Sequence, residues 1–199
     1  IAYGGGKENR ELIERAYNIS SDLGRVANVV AEKGLAGIKK FQVVVFEPIR
    51  PMLAERLSSP EEILEKLGGK CVAEYKYDGE RVQAHKKGNE VALYSRRMER
   101  ISNQYPDAVE LVRENVKAEE AILEAECVAV DVETGELLPF QELMHRRRKY
   151  GVTEAMQQYP VSLFMFDALY VDGEDLTLKA YLERRRLLEK TIKERFNKS

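Results

Sequence analysis

The chain contains 199 residues, 44% of them hydrophobic and 33% charged, and its formal net charge is −2. This composition is typical of a globular protein, and no apolar run approaches the roughly 20 residues of a membrane-spanning helix, so we expect no membrane partner. The two cysteines, Cys71 and Cys127, form no CxxC pair. That argues against a zinc ribbon or a disulfide scaffold and indicates a reducing compartment, the cytoplasm or the nucleus.

Two helices are predicted before a boundary that is marked by a proline. The first carries apolar residues at helical spacing over residues 12–17, and the second follows Ser21, a candidate N-cap. The run FQVVVF, which starts at Phe41, predicts a strand that ends at the proline. We therefore divide the chain into residues 1–47, the end of a helical unit with its linker, and residues 48–199, a second unit.

Strands and helices alternate through the second unit. The predicted strands cover residues 71–77, 81–87, 91–96, 121–131 and the run VSLFMFDALYV, with KKGNE as a hairpin turn between the second and third. The predicted helices cover SSPEEILEKLGGK, residues 104–116, FQELMHRRRK and KAYLERRRLLEKTIKERF. In the last helix we expect Tyr181, Leu182, Leu187, Leu188 and Ile192 to face a core. This order of elements predicts an α/β or α+β domain with mostly antiparallel pairing.

The stretch EYKYDGER, residues 74–81, carries the most distinctive chemistry. A free lysine has a pKa of about 10.4, so Lys76 needs partial burial or a neighbouring cation before its neutral amine can act as a nucleophile. On a strand over 71–77, Glu74 and Lys76 would share one face ahead of a turn at Gly79. A cluster of this kind is more often a surface ion-pair network, and the residues alone leave both interpretations open.

Charge is unevenly distributed along the chain. Residues 101–144 contain 11 acids and 2 bases, residues 70–100 contain 8 bases and 5 acids, and residues 179–199 contain 8 bases and 3 acids. The basic regions are compatible with a polyanionic partner, although solvated faces are the commoner explanation of such runs. His85 and His145 lack the spacing of metal ligands and are interpreted as structural.

Five stretches in this order carry a resemblance to a known family: EYKYDGERVQAH, YSRRMERIS, AILEAECVAVD, PFQELMHRRRKY and LFMFDALYVDGEDL. Together they resemble the ATP-dependent DNA ligases of the nucleotidyltransferase superfamily, particularly the archaeal and eukaryotic replicative type. The resemblance extends from about Ala16 to the last helix. It implies an ATP-grasp-like adenylation domain with mostly antiparallel sheets, preceded by the end of a helical DNA-binding domain.

The resemblance implies a role for three residues around the base and the α-phosphate of ATP. Lys76 would attack the α-phosphate, expel pyrophosphate and hold AMP. Glu74 would accept a hydrogen bond from the exocyclic amine of adenine. Phe166 would stack on the purine, although its apolar run by itself indicates a core residue.

Four further residues would contact the rest of the nucleotide or the nick. Asp78 and Arg81 would lie near the ribose and the nick, and Arg96 would contact phosphate. Glu126 would hold a ribose hydroxyl or help to place Mg²⁺. An acid within a buried strand is costly unless it is paired or ligating, so the position of Glu126 favours a function even without the resemblance.

The implied activity is the sealing of nicks in duplex DNA, in replication, repair and recombination, with ATP and Mg²⁺ as cofactors. A sliding clamp would be contacted through regions outside these residues. Ala125 departs from the family pattern, and a further glutamate motif, a lysine-rich motif and an OB-fold domain are not contained in these residues, so we expect residues 1–199 alone to seal nicks poorly. An RNA ligase, a capping-type guanylyltransferase and an inactive DNA-binding fragment stay open as alternatives.

Overall fold

A computed structural model describes residue 6, residues 9–147 and residues 150–193. It begins with two helices, α1 (Arg10–Ser20) and α2 (Leu23–Ile38), which pack together through Ala16, Val26 and Ile38. The predicted cap Ser21 is wrong. Ser21 ends α1 in a left-handed conformation, and it is the Asp22 side chain that accepts the Arg25 N–H at the start of α2.

The strand predicted from Phe41 onward does not form. Residues 39–59 are an irregular linker, and the apolar side chains of Val43 and Ile49 pack with Ile19 of α1 and Ile122 of the sheet. The apolar run therefore reflects burial of a linker. This cluster joins α1, the linker and the sheet, and it marks no boundary between two units. The division of the chain at residue 48 therefore stays a prediction.

The next helix, α3 (Pro60–Lys66), forms as predicted, with Ser59 accepting the Glu62 N–H. The strand predicted over residues 71–77 is wrong: this segment is irregular and no strand among the described residues pairs with it. Residues 72–77 of this segment line a cavity instead, which is described below.

A five-stranded antiparallel sheet forms the centre of the fold, in the order β2-β1-β3-β4-β5. The strands are β1 (Glu80–Lys87), β2 (Glu90–Ser95), β3 (Glu120–Ala129), β4 (Val161–Val171) and β5 (Glu174–Asp175). The predicted hairpin between β1 and β2 is confirmed, with Gly88 at a positive φ of 57°. The mixed helix and strand class with antiparallel pairing is likewise confirmed.

In the part of the chain that the structure describes, four further α-helices follow: α4 (Pro106–Asn115), α5 (Phe140–Leu143), α6 (Val152–Gln158) and α7 (Tyr181–Thr191). Of these, α6 has no counterpart in the sequence predictions. A short 3-10 helix follows α5, and the predicted continuations of that helix over 148–149 and of α7 beyond 193 lie outside the described residues. In α7, Leu188 is buried as expected, but Leu182 is 57% exposed, so its prediction as a core residue is wrong.

The two faces of the sheet differ in chemistry. One face carries the main core, in which Val82, Leu123 and Met165 pack against α4 and α7. The opposite face carries a row of polar and aromatic side chains, because Arg81 pairs in register with Glu126, and Glu126 pairs with Phe164. This second face positions the candidate site.

None of the helices among the described residues has the length and apolar character needed to cross a membrane.

Candidate active site

A cavity of about 500 Å³ opens where β3, β4, α7 and the irregular segment over residues 72–77 meet. Four of the seven residues predicted from the sequence line it: Glu74, Lys76, Glu126 and Phe166. Its volume lies within the range of about 300–1,000 Å³ that is typical of small-molecule sites. The sequence pattern and the fold thus bring one amine, two carboxylates and an aromatic ring to a single hollow.

The segment that carries Lys76 is held by contacts of the three residues that follow Lys76 in the chain. Tyr77 stacks on Phe164 of β4, with ring centroids 3.9 Å apart. Gly79 lies so close to β3 that a Cβ built on it would be 2.3 Å from the Cys127 carbonyl oxygen. The Asp78 carboxylate accepts the Phe140 N–H at 3.1 Å. Asp78 therefore supports the turn and is not part of the cavity wall.

Lys76 and Glu126 face the same cavity and differ in exposure. The Lys76 residue is exposed, whereas Glu126 is half-buried on β3. Burial raises the pKa of the Glu126 carboxyl, while the nearby charges of Lys76 and Arg81 and a hydrogen bond from the Gly79 N–H act in the opposite direction. The cavity therefore places a carboxyl with reduced acidity beside the candidate nucleophile.

Arg81 does not line the cavity but lies over Phe166, one of the residues that do. Its guanidinium carbon is 5.3 Å from the centroid of the Phe166 ring, within the range of a cation–π contact. Its Nε donates to the Glu124 carboxylate at 2.8 Å. Arg96 does not reach the cavity wall; it borders a second, smaller hollow together with Arg81 and Glu124.

Nine of the residues that line the cavity were not predicted as site residues, and three of them are Phe164, Tyr181 and Arg185. The Tyr181 hydroxyl donates to the Glu74 carboxylate, and burial together with this hydrogen bond raises the pKa of Tyr181 to about 12. Arg185 donates to the Met165 carbonyl oxygen at 3.0 Å, which attaches α7 to β4. Phe164 could have been found, because it lies two positions before Phe166 on the same strand face. Tyr181 had been expected to face the core.

The carboxylates that line the cavity, Glu74 and Glu126, bear on whether it can hold a metal ion. No group of three or more His, Cys, Asp or Glu side chains among the described residues is arranged to hold a metal. Mg²⁺ commonly binds through one or two carboxylates plus the phosphates of its substrate. Glu126, half-buried and facing the cavity, fits that single-carboxylate arrangement.

Comparison with known proteins identifies the family. A family model described as ATP dependent DNA ligase domain matches residues 51–199. The chain is 58% identical over 193 residues to a probable DNA ligase of Aquifex aeolicus, covering 97% of this chain and 33% of that protein. It is 58% identical over 192 residues to a DNA ligase of Sulfophobococcus zilligii, covering 96% of this chain and 32% of that protein.

Among solved structures, mycobacterial DNA ligase D complexed with ATP and MES is 26% identical, with a TM-score of 0.46, over 60% of this chain and 36% of that chain. The chain spans about a third of the length of these two curated ligases. Since the family model covers well over half of the residues, the chain belongs to the ATP-dependent DNA ligase domain family.

Proposed function

We propose that this chain carries the nucleotidyl-transfer site of an ATP-dependent DNA ligase and that Lys76 becomes covalently attached to AMP. The observation that carries the proposal is the cavity of about 500 Å³ in which Lys76 lies on one wall with Glu74, Glu126 and Phe166. The family match supports the same conclusion. A surface ion-pair network would not enclose a hollow of purine size.

The base is held by an aromatic face and a carboxylate. The purine lies against Phe166, since every base offers a π-face for stacking on an aromatic ring. Glu74 accepts a hydrogen bond from the exocyclic amine of adenine, a contact that the carbonyl of guanine cannot make because a carboxylate only accepts. The Tyr181 hydroxyl occupies one carboxylate oxygen of Glu74. The other oxygen remains as an acceptor for the base.

The sugar and phosphates lie toward Arg81 and Glu126. The Arg81 guanidinium over Phe166 is planar and permanently charged, which suits phosphate oxygens. Glu126 faces the cavity and pairs with Arg81 in the strand register, where it either accepts from a ribose hydroxyl or helps to place Mg²⁺. Arg96, in the hollow shared with Arg81, contacts a phosphate of the nicked strand rather than the base.

The chemical step is an attack by an amine on phosphorus. The neutral Lys76 Nζ donates its electron pair to the α-phosphorus of ATP, the P–N bond forms and the bond to the bridging oxygen breaks. Pyrophosphate leaves with that electron pair, and the amine proton passes to solvent. Lys76 is exposed in the free protein, so its amine is accessible to an incoming nucleotide.

The remaining stages act on DNA. AMP passes from Lys76 to the 5′-phosphate at a nick, and the 3′-hydroxyl then displaces AMP and seals the strand. Glu126, together with the phosphates, would hold Mg²⁺, which would supply charge neutralisation of the leaving oxygens. Duplex DNA is bound through its backbone, so the affinity of the protein for DNA falls as the salt concentration rises. Such a substrate places the protein in the cytoplasm or the nucleus.

Intact mass spectrometry tests the proposal directly. Incubation of the protein with ATP and Mg²⁺ should add the mass of one AMP, and Lys76→Ala should abolish the addition. Lys70→Ala is the matched control, since Lys70 is an exposed lysine of the same irregular segment that does not line the cavity. Adduct formation that survives Lys76→Ala would overturn the proposal.

Incorporation of labelled nucleotides separates the proposed DNA ligase from a capping-type guanylyltransferase, an RNA ligase and an inactive DNA-binding fragment. With labelled ATP and labelled GTP offered in turn, a capping-type guanylyltransferase would incorporate GMP, whereas the proposed site incorporates AMP. An RNA ligase would also incorporate AMP, and transfer to a nicked DNA duplex rather than to nicked RNA distinguishes the two. A fragment that only binds DNA would give no adduct with either nucleotide.

A further inference from the structure

A chain of buried hydrogen bonds crosses the site face of the sheet from the linker to Arg81. Its members are the backbone of Phe46 and the side chains of His85, Gln83, Glu124 and Arg81. His85 is 0% exposed, Glu124 is 2% exposed and Gln83 is 5% exposed. None of the three lines the cavity, so nothing in the proposed chemistry uses them directly.

Gln83 is the centre of this chain, and its amide is fully used. Its Oε1 accepts from the Ile49 N–H at 2.7 Å and lies 2.8 Å from His85 Nε2. Its Nε2 donates to the Ile49 carbonyl oxygen at 3.0 Å and to Glu124 Oε1 at 2.8 Å. The side chain therefore pairs with the linker backbone much as a strand would, although the linker forms no strand.

His85 extends this chain of hydrogen bonds to Phe46, a residue with a strained backbone. Its Nδ1 accepts the Phe46 N–H at 2.8 Å, which leaves Nε2–H as the donor to Gln83. Phe46 has a φ of 74°, a left-handed conformation that a phenylalanine rarely adopts. The Tyr94 hydroxyl donates to the Phe46 carbonyl oxygen at 2.9 Å. Such a backbone persists only where its surroundings determine it, so the seating of the linker is specific.

At the other end, Glu124 connects Gln83 to the site. One of its oxygens accepts from Gln83 and the other accepts from Arg81 Nε at 2.8 Å. Both partners donate, so a carboxylate with two acceptor oxygens satisfies both bonds at once. Arg81 is thus held over Phe166 by a group that is itself held by the linker contact.

We infer that Gln83 is a positioning residue that makes the seating of residues 46–49 a condition for the correct placement of Arg81 at the nucleotide. The helical unit and its linker then act on the site through this chain of bonds. Displacing the linker frees the Glu124 carboxylate to turn, and the guanidinium loses its fixed position. The inference rests on the proposed function, because Arg81 matters only if the cavity receives a nucleotide.

A double-mutant cycle provides the first test. Gln83→Met keeps the length of the side chain and removes all four contacts, and it should slow AMP transfer to the protein by about 10- to 100-fold, the range expected when a group that contacts the substrate is misplaced. In an Arg81→Ala background the same change should leave the rate unaltered, while the melting temperature falls equally in both backgrounds. Gln157→Met, on the exposed side of α6, should change neither.

A purely structural role for Gln83 would give a different result. The rate would then fall by the same factor with and without Arg81, and that outcome overturns the inference. So does an unchanged rate in Gln83→Met itself. Should Gln83→Met fail to fold, or the rate of Arg81→Ala fall below detection, the second measurement below decides with the unaltered protein.

Hydrogen exchange of the linker amides provides that second test. If the seated linker favours the nucleotide-bound position of Arg81, then nucleotide must favour the seated linker to the same extent. ATP with Mg²⁺ should therefore slow exchange at the amides of Phe46 and Ile49, and leave a peptide over residues 152–158 unchanged. AMP attachment without slower exchange at these two amides overturns this inference alone. The lack of any AMP attachment overturns the proposed function instead.

Discussion

The ring of Tyr77 stacks on the ring of Phe164, with centroids 3.9 Å apart and an interplanar angle of 18°. This contact joins the irregular segment that carries Lys76 to the strand that carries Phe166. Segment 71–77 has no strand partner among the described residues. The stack is therefore a principal support of the Lys76 side chain's position.

Replacing Tyr77 by Ala should raise the KM for ATP in the adenylation reaction. An aromatic pair contributes about 0.5–1.5 kcal/mol beyond its buried area, which corresponds to roughly a 2- to 12-fold effect. Tyr77→Phe keeps the ring and should remain near the unaltered protein. Tyr150→Ala, which removes a tyrosine that is 87% exposed, serves as the control. Equal KM values for the Ala and Phe variants of Tyr77 would contradict this view of the stack.

Gly79 should not tolerate alanine. The new Cβ would lie 2.3 Å from the Cys127 carbonyl oxygen and 2.9 Å from Val128 Cγ2, and a backbone atom of β3 cannot move aside as a flexible side chain can. We expect a loss of about 1–3 kcal/mol in the free energy of unfolding, together with slower AMP attachment, because the turn after Lys76 shifts. Urea unfolding and intact mass measure the two effects.

A suitable comparison is Gly24→Ala on α2. There the nearest atom is an Asp22 side-chain oxygen at 3.3 Å, and alanine is a better helix former than glycine. A loss of stability in Gly24→Ala as large as that in Gly79→Ala would show that the close approach to β3 is not the cause.

The sheet and several of the cavity residues follow from patterns that are local in the sequence. The hairpin between β1 and β2 has its glycine turn, and β4 has an apolar run closed by Asp172 and Gly173. Alternation along a strand was less informative in the irregular segments. The runs around Phe41 and residues 71–77 were predicted as strands because an apolar run or an alternating pattern does not report whether a neighbouring strand is present to bond the backbone.

The chain of bonds through Gln83 was beyond sequence reasoning for a different reason. Gln83 bonds to Ile49 and Glu124, which are 34 and 41 residues away in the sequence, and each polar side chain alone resembles any other surface residue. Tyr181 was expected in the core because its helical spacing matches that of Leu188, yet its hydroxyl reaches Glu74 across the cavity. The order of elements did not reveal that α7 begins at the cavity.

The stability of the protein should depend on pH through His85. Burial lowers the pKa of His85 from 6.5 to about 3, so between these values the unfolded chain binds a proton that the folded chain excludes. Stability from this group is therefore complete above pH 6.5 and falls as pH decreases, by up to about 1.4 kcal/mol per pH unit. The rings of Phe46 and Tyr94 pack on the imidazole and supply no compensating negative charge at these pH values.

His85→Asn isolates this contribution. Asn retains an acceptor for the Phe46 N–H but does not titrate, so the variant should be less stable than the unaltered protein at pH 8, and the difference should shrink as pH falls from 6.5 to 4.5. Urea unfolding at several pH values measures it. A difference that stays constant over this range would mean that His85 is accessible to protons in the folded state.

Tyr181→Phe should weaken the selection of adenine without altering the fold. The change removes only the hydroxyl that donates to Glu74, so the carboxylate is no longer held at the cavity wall. A hydrogen bond of this kind contributes about 0.5–1.5 kcal/mol, so we expect the KM for ATP to rise roughly 2- to 12-fold at nearly constant kcat, and the preference for ATP over GTP to decrease. Because the pKa of Tyr181 is raised to about 12, the hydroxyl remains a donor throughout the range from pH 7 to 9. The ratio of the two KM values should therefore be flat over that range. Tyr150→Phe is the matched control, and a KM for ATP that is the same in Tyr181→Phe and the unaltered protein would mean that Glu74 is oriented by the base alone.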